Sequence, residues 1–307
     1  MVRVRHSSEA VPGSGFIDPR VLARIGNLQL VARSVVDGFI NGLHRAPYLG
    51  LSLDFAEHRA YMPGDDIRRI DWRLYARTDR YHVKEFEADT NSNFTVVLDT
   101  SGSMAYGSGE VTKFDYARFL AASLAYFSHD QRDRVGMVSI AQDVVDYVPN
   151  SAKHMDVLLH TVARSKPQGK TDLAASLRKV NELLRRRGIV VIVSDLYDEA
   201  ENIIQAIAPL KYRGHDVIVF HVLDPAELDL PFDQPTSIED LETGERLPIV
   251  PAALRERYRE LIAGHIAALS KGLTNQRIDY ALLDTSKPLD DALFTYLATR
   301  ERLSRVR

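Results

Sequence analysis

From residue 91 onward, apolar positions alternate between short unbroken runs and segments of helical spacing. FTVVLD (94–99), GIVVIVSD (188–195) and DVIVFHVLD (216–224) are runs of strand-forming residues that each end in an acid. Such runs predict strands covered on both faces. The intervening segments at 112–128, AKHMDVLLHTVARS, LAASLRKVNELLRRR, about 199–212, 251–272 and 288–302 place apolar residues at helical spacing. RVGMVSIA and VVDYV are separated by Gln142-Asp143, which predicts a tight antiparallel hairpin. RIDYALLD is a last strand, and the excursion at 225–250 carries Thr243-Gly244 as a second hairpin turn. Strands alternating with helices predict an α/β fold: a doubly wound, mostly parallel sheet with one antiparallel edge strand.

Upstream the pattern differs. Residues 1–18 are polar and rich in Gly, Pro and Ser, and a mobile segment is expected there. Asp18-Pro19 reads as a cap followed by a first-turn proline. Leu22, Ile25, Leu28, Val31, Val35 and Phe39 then follow at helical spacing, predicting one helix within 19–43 that packs on its own domain. LSLDFAEHRAY and YHVKEFEAD roughly alternate apolar and polar residues, so 44–90 is expected to form a β arm. Its tip, around 63–79, contains Asp65, Asp66, Arg68, Arg69, Asp71 and Trp72. That tip is either a capped structural turn or a partner-binding surface. The 91–303 region is expected to be the principal domain.

Composition narrows the function more than the fold. The chain has 307 residues, 45% of them hydrophobic and 26% charged, as a globular protein does. A formal net charge of -3 gives no overall field for nucleic acid or anionic membrane. There is no cysteine, which removes disulfides, thiolate metal sites and cysteine nucleophiles. No signal-like apolar stretch and no run long enough to span a bilayer is present. A cytoplasmic location without a membrane span is the expectation.

The chemistry gathers where strands end. In an open α/β sheet, ligands bind beyond the carboxyl ends of the strands, where the winding reverses. Asp99 and Asp195 stand at two such ends. Ser101 and Ser103 follow Asp99 at alternate positions, and Thr171 opens the helix after Gln168-Gly169-Lys170. Three hydroxyls and two carboxylates suit Mg²⁺, or Mn²⁺ or Ca²⁺, which takes oxygen ligands and keeps some positions open. An ion held this way can accept an acidic side chain from outside. Competing chemistries fit less well. Gly169-Lys170-Thr171 resembles the end of a P-loop, but Arg164 stands where that motif needs glycine. Ser101 replaces the second acid of a D-x-D phosphatase, and no G-x-S-x-G elbow is present. The ten histidines show no i, i+4 pair of the kind that binds zinc on a helix.

Asp99-x-Ser101-x-Ser103, Thr171 within G-x-T-D-L and Ser194-Asp195 together resemble the metal-ion-dependent adhesion site (MIDAS) of von Willebrand factor A domains. That resemblance implies direct ligation by Ser101, Ser103 and Thr171. Asp99 and Asp195 would act largely through waters or hydrogen bonds. Lys170 departs from the small residue common there and brings a cation near the ion. The arm is similar to the DUF58 family signature, in the words PGDD, RxIDW and ART. This implies a partnership with a MoxR-type AAA+ ATPase.

The expected function is therefore a non-enzymatic, Mg²⁺-dependent protein-binding module that captures an acidic residue of a client or ATPase partner. A Mg²⁺-dependent hydrolase using the same pocket is the alternative, and a passive scaffold a third possibility. The Gly/Ser-rich segment at 104–111 and the loop at 196–199 would frame the contact surface.

Overall fold

The computed structural model describes residues 18–45, 58–60, 75, 80–84, 92–170 and 172–304. Its elements in chain order are α1 (Pro19–Ala23), α2 (Leu28–Arg45), β1 (His58–Ala60), β2 (His82–Lys84), β3 (Asn93–Asp99) and a 3-10 turn at Gly102–Ala105. Then come α3 (Lys113–Asp130), β4 (Arg134–Ile140), β5 (Val144–Ser151), α4 (Met155–Arg164), α5 (Leu173–Leu183) and β6 (Gly188–Ser194). They are followed by α6 (Ala200–Tyr212), β7 (Asp216–Leu223), α7 (Pro225–Asp229), β8 (Thr236–Glu239) and β9 (Arg246–Ile249). The chain closes with α8 (Pro251–Asn275), β10 (Asp279–Asp284) and α9 (Asp290–Ser304).

Six strands form the central sheet in the order β10-β7-β6-β3-β4-β5. All neighbours are parallel except β4 and β5, which pair antiparallel at one edge. Side-chain alternation shows why the continuous apolar runs are needed. Phe94, Val96 and Leu98 of β3 face one core, and Val97 faces the other. Val191 and Val193 of β6 likewise oppose Val190 and Ile192. A strand with a helical layer on each side must be apolar at odd and even positions alike. Helices α1, α2, α3, α4 and α9 contribute to the first core. Helices α5, α6 and α8 contribute to the second.

The first layer is two helices deep. Helix α3 buries most of its circumference, from Phe114 and Ala117 to Leu124 and Phe127. A helix apolar all round needs cover on its outer side. Helix α2 supplies it with Val31, Ala32, Val35 and Phe39, and the Phe39 ring meets Phe294 edge-on at 4.8 Å between centroids. The single helix expected across Leu22–Phe39 is in fact two. Asp18 caps α1 through the Arg20 N–H, with Pro19 in the first turn. The chain then breaks at Gly26-Asn27. The Asn27 side chain accepts from the Gln29 N–H at 2.9 Å and so starts α2. Asparagine competes well for a helix cap, and here it overrides an unbroken apolar periodicity.

Of the expected arm, β1 and β2 are described and pair antiparallel, His58 opposite Lys84. The arm tip with Asp65, Asp66, Arg68, Arg69, Asp71 and Trp72 lies outside the described residues.

The winding reverses around β3. The chain passes from β3 through α3 to β4 on one side, while β6 flanks β3 on the other. The carboxyl ends of β3 and β6 therefore open side by side at the switch point. Asp99 ends β3, and Asp195 follows the last residue of β6. Helices α5 and α6 end where expected or slightly earlier, and the 225–250 excursion forms α7 and the β8–β9 hairpin.

Candidate metal site at the sheet top

Asp99 is 1% exposed and Asp195 2%, so two carboxylates sit out of water at the ends of neighbouring strands. The local sequence dictates how Asp99 is held. Its Oδ1 accepts the Ser101 N–H at 2.9 Å, a turn that a short acceptor two residues back favours. Its Oδ2 accepts the Ser194 hydroxyl at 2.5 Å. That hydroxyl in turn accepts the Leu196 N–H at 3.0 Å. Leu196 sits at φ 50° with its side chain fully buried. A left-handed leucine is a costly backbone state that its surroundings must enforce. The β6 end is thus bent sharply next to Asp195.

The turn after Asp99 brings Ser101 Oγ to within 3.1 Å of Ser103 Oγ. Adjacent ligands of an octahedral ion with bonds near 2.1 Å stand about 3.0 Å apart. The two hydroxyls therefore already span one edge of such a coordination shell. A third loop docks against this turn. Gly102 N–H donates to Gly169 O at 2.9 Å, and Gln168 N–H donates to Thr100 O at 2.8 Å. Gly169 adopts φ +75°, a conformation that glycine takes without strain. The backbone two residues before Thr171 is thereby fixed beside Gly102. Thr171 itself lies outside the described residues. Asp172 next to it caps α5 through the Ala175 N–H. Lys170 is exposed.

A buried cation missing from the sequence-based site completes the arrangement. Lys113, the first residue of α3, is fully buried. Its Nζ donates to Asp195 Oδ2 at 2.8 Å and to Glu227 Oε1 at 2.6 Å. Burial alone would lower the ammonium's pKa, but the two carboxylates outweigh it and the pKa is raised. Glu227 also reaches back to the Asp224 N–H in the capping box of α7. Asp224 Oδ2 accepts the Ser108 N–H at 2.9 Å, which pins the Gly/Ser-rich segment in its middle. Lys113 sits at the start of an apolar helix where a basic residue usually meets solvent. Nothing in its spacing signals that it points inward.

Among the described residues, three carboxylates, Asp99, Asp195 and Glu227, gather near the single ammonium of Lys113. Burial, then the charge of Asp195, pushes the Asp99 carboxyl up to about 6. His221 stands next to Asp195 on β7, with Nδ1 2.8 Å from the Tyr280 hydroxyl. Burial pulls its pKa down to about 4, so the imidazole is neutral. Sequence spacing alone gave this histidine no place. Among the described residues, no three His, Asp or Glu side chains converge as a conventional metal cluster. The donors here are hydroxyls backed by carboxylates, which suits a hard cation.

Two expectations follow. Lys113→Met leaves Asp195 and Glu227 buried without their counter-charge and should cost about 3–5 kcal/mol in urea unfolding at pH 7; a loss below about 1 kcal/mol would contradict the buried bridge. His221 protonates in the unfolded chain near its ordinary value but in the folded chain only near pH 4. Its contribution is intact above about pH 6.5 and falls by up to about 1.4 kcal/mol per pH unit toward pH 4. The raised Asp99 works in the opposite sense, weakening the fold as pH rises between about 4 and 6. Comparison with His221→Gln separates the two: wild type should lose stability relative to the variant on acidification, and parallel curves would contradict the assignment.

The chain has relatives among known proteins. Uncharacterized proteins of Mycobacterium tuberculosis and Mycobacterium bovis are each 29% identical over 291 residues, covering 93% of this chain and 91% of theirs. Among solved structures, the conserved hypothetical protein BatB from Bacteroides thetaiotaomicron aligns with a TM-score of 0.48 at 16% identity, covering 70% of this chain and 99% of that one. The SpRpn10 VWA domain aligns with a TM-score of 0.41 at 12% identity, covering 66% and 93%. The family described as "Protein of unknown function DUF58" matches residues 57–268, more than half of the sequence. The chain belongs to the DUF58 family.

Proposed function

We propose that this protein is a divalent-cation-dependent protein-binding module whose sheet-top site captures an acidic side chain of a partner. Asp99, Ser101, Ser103, Thr171 and Asp195 would hold Mg²⁺, or Mn²⁺ or Ca²⁺ in its place. The observation that carries the reading is the Ser101–Ser103 hydroxyl pair, 3.1 Å apart in the turn whose Ser101 N–H bonds the buried Asp99. Neither Asp99 oxygen is free of a hydrogen bond, since Ser101 and Ser194 take one each. Asp99 would therefore orient the serine turn and supply charge. Asp195 gives Oδ2 to Lys113. Burial, then the charge of Asp195, raises Asp99, and a divalent ion would offset that second contribution, which a neutral ligand could not do.

Bound there, the ion would act as a Lewis acid with a position open to an outside carboxylate oxygen. The surrounding residues do the rest. The serine turn fixes two donors. The Gly169–Gly102 bond brings up the loop carrying Thr171. Tyr197, 76% exposed just past Asp195, offers an aromatic rim of the kind that anchors interfaces. Partnership with a MoxR-type AAA+ ATPase is part of the proposal and is supported by the resemblance of the arm to the DUF58 signature.

Titration calorimetry with Mn²⁺ and Mg²⁺ tests the site. Wild type should bind one ion, and Ser101→Ala with Ser103→Ala should weaken binding at least tenfold while the thermal unfolding profile stays cooperative. Absence of ion binding, or equal binding by the double variant, would overturn the reading. Mg²⁺-dependent turnover of p-nitrophenyl phosphate that disappears in Asp99→Ala would favour the hydrolase instead.

A further inference from the structure

The β8–β9 hairpin leaves the body after β7 and returns before α8, and its tip reaches the serine turn. A Cβ built on Gly102 would lie 2.9 Å from the carbonyl oxygen of Leu241 and 2.9 Å from that of Gly169. Gly102 separates the two candidate ligands Ser101 and Ser103. The hairpin tip therefore touches the backbone at the centre of the site. The absence of a side chain at Gly102 is what lets two backbones approach it from different loops.

The way the hairpin is held matters as much as where it ends. Its strand residues are half-exposed or exposed along their whole length, so no core fixes them. Its first foot is anchored. Arg255 donates to Leu230 O at 3.0 Å, to Phe232 O at 2.8 Å and to Asp233 Oδ1 at 2.9 Å. Its second foot ends at the buried Pro251 that begins α8. Thr236 pairs with Ile249 at the base, and Asp240 N–H donates to Glu245 O at the tip. The tip is a preformed turn. The Glu242 N–H, then the Thr243 hydroxyl, hold the Asp240 carboxyl below its usual range, and the nearby charge of Lys170 adds to this. Lys170, on the loop leading to Thr171, thus exerts an attraction on the hairpin acid.

We propose that the β8–β9 hairpin is a strap in cis, anchored at both feet and resting its Asp240-Leu241-Glu242 tip on the serine turn, so that an outside acid gains full access to the site only when the tip lifts. Among the described residues, the hairpin strands meet the body without core burial, and an attachment without core burial is the kind that opens at low cost. The strap rests on the reading of Ser101 and Ser103 as ion ligands, and deepens it by naming what competes with the partner.

Two variants test it in the full chain. In one, residues 237–248 are replaced by Asn-Gly, which can close the paired Thr236 and Ile249 as a two-residue turn. In the other, Asp240→Lys reverses the attraction to Lys170 at an exposed position. Two readouts are taken: amide exchange of Gly102 by NMR, and line broadening of acetate protons by protein-bound Mn²⁺. The shortened variant should exchange Gly102 on the order of tenfold faster and broaden acetate several-fold more than wild type, with Asp240→Lys moving both in the same direction. Unchanged Gly102 exchange and unchanged acetate broadening in a variant that binds Mn²⁺ would overturn the strap and leave the ion site standing. If no form binds Mn²⁺, the ion reading fails, and Gly102 exchange alone decides whether the hairpin covers the turn.

Discussion

Two carboxylates leave water together at the ends of adjacent parallel strands. Asp99 and Asp195 are both at least 98% buried, and burial, followed by the charge of Asp195, raises the cost of ionising Asp99. Much at the sheet top can be understood as compensation for that placement. Lys113 turns inward from the first position of α3 to meet Asp195. Glu227 steadies the ammonium while capping α7. Ser194 and the Ser101 N–H each neutralise one lone pair of Asp99. Even so, burial, then the charge of Asp195, pushes Asp99 up to about 6. Buried charge of this kind is expensive unless paired, so its retention is a pointer to binding rather than to stability.

The same constraint organises the backbone. Leu196 accepts a left-handed conformation so that its N–H can meet Ser194. Gly102 and Gly169 let two loops touch through main chain. The deep packing below supplies the rigidity. Helix α3 carries Lys113, and α2 clamps α3 from outside with Val31, Val35 and Phe39. The N-terminal helices therefore contribute to the site at one remove, by fixing the helix whose first residue holds Asp195.

The fold was readable because each central strand needs apolar residues on both faces, which no other element of that length requires. Gln142-Asp143 and Thr243-Gly244 announced their turns by chemistry local to the chain. That Asp99, Ser101 and Ser103 share one turn was legible because alternate oxygens after a strand are a local pattern too. What stayed hidden depends on distance in sequence. The partners of Lys113 lie 82 and 114 residues away. His221 owes its place to β7 lying beside β6. The strap touches Gly102 with a carbonyl, which every residue has, so no side chain could have signalled it. The break between α1 and α2 was missed for a different reason. Apolar periodicity passes through Gly26-Asn27, and only the competition of the Asn27 side chain with helix continuation reveals it.

The most direct measurement is anomalous diffraction at the manganese edge from crystals grown with Mn²⁺. A single peak within about 2.2 Å of both the Ser101 and Ser103 hydroxyls, with Asp99 still bonded to Ser194, is the predicted result. A peak elsewhere on the protein, or none at the sheet top at millimolar Mn²⁺, would contradict it.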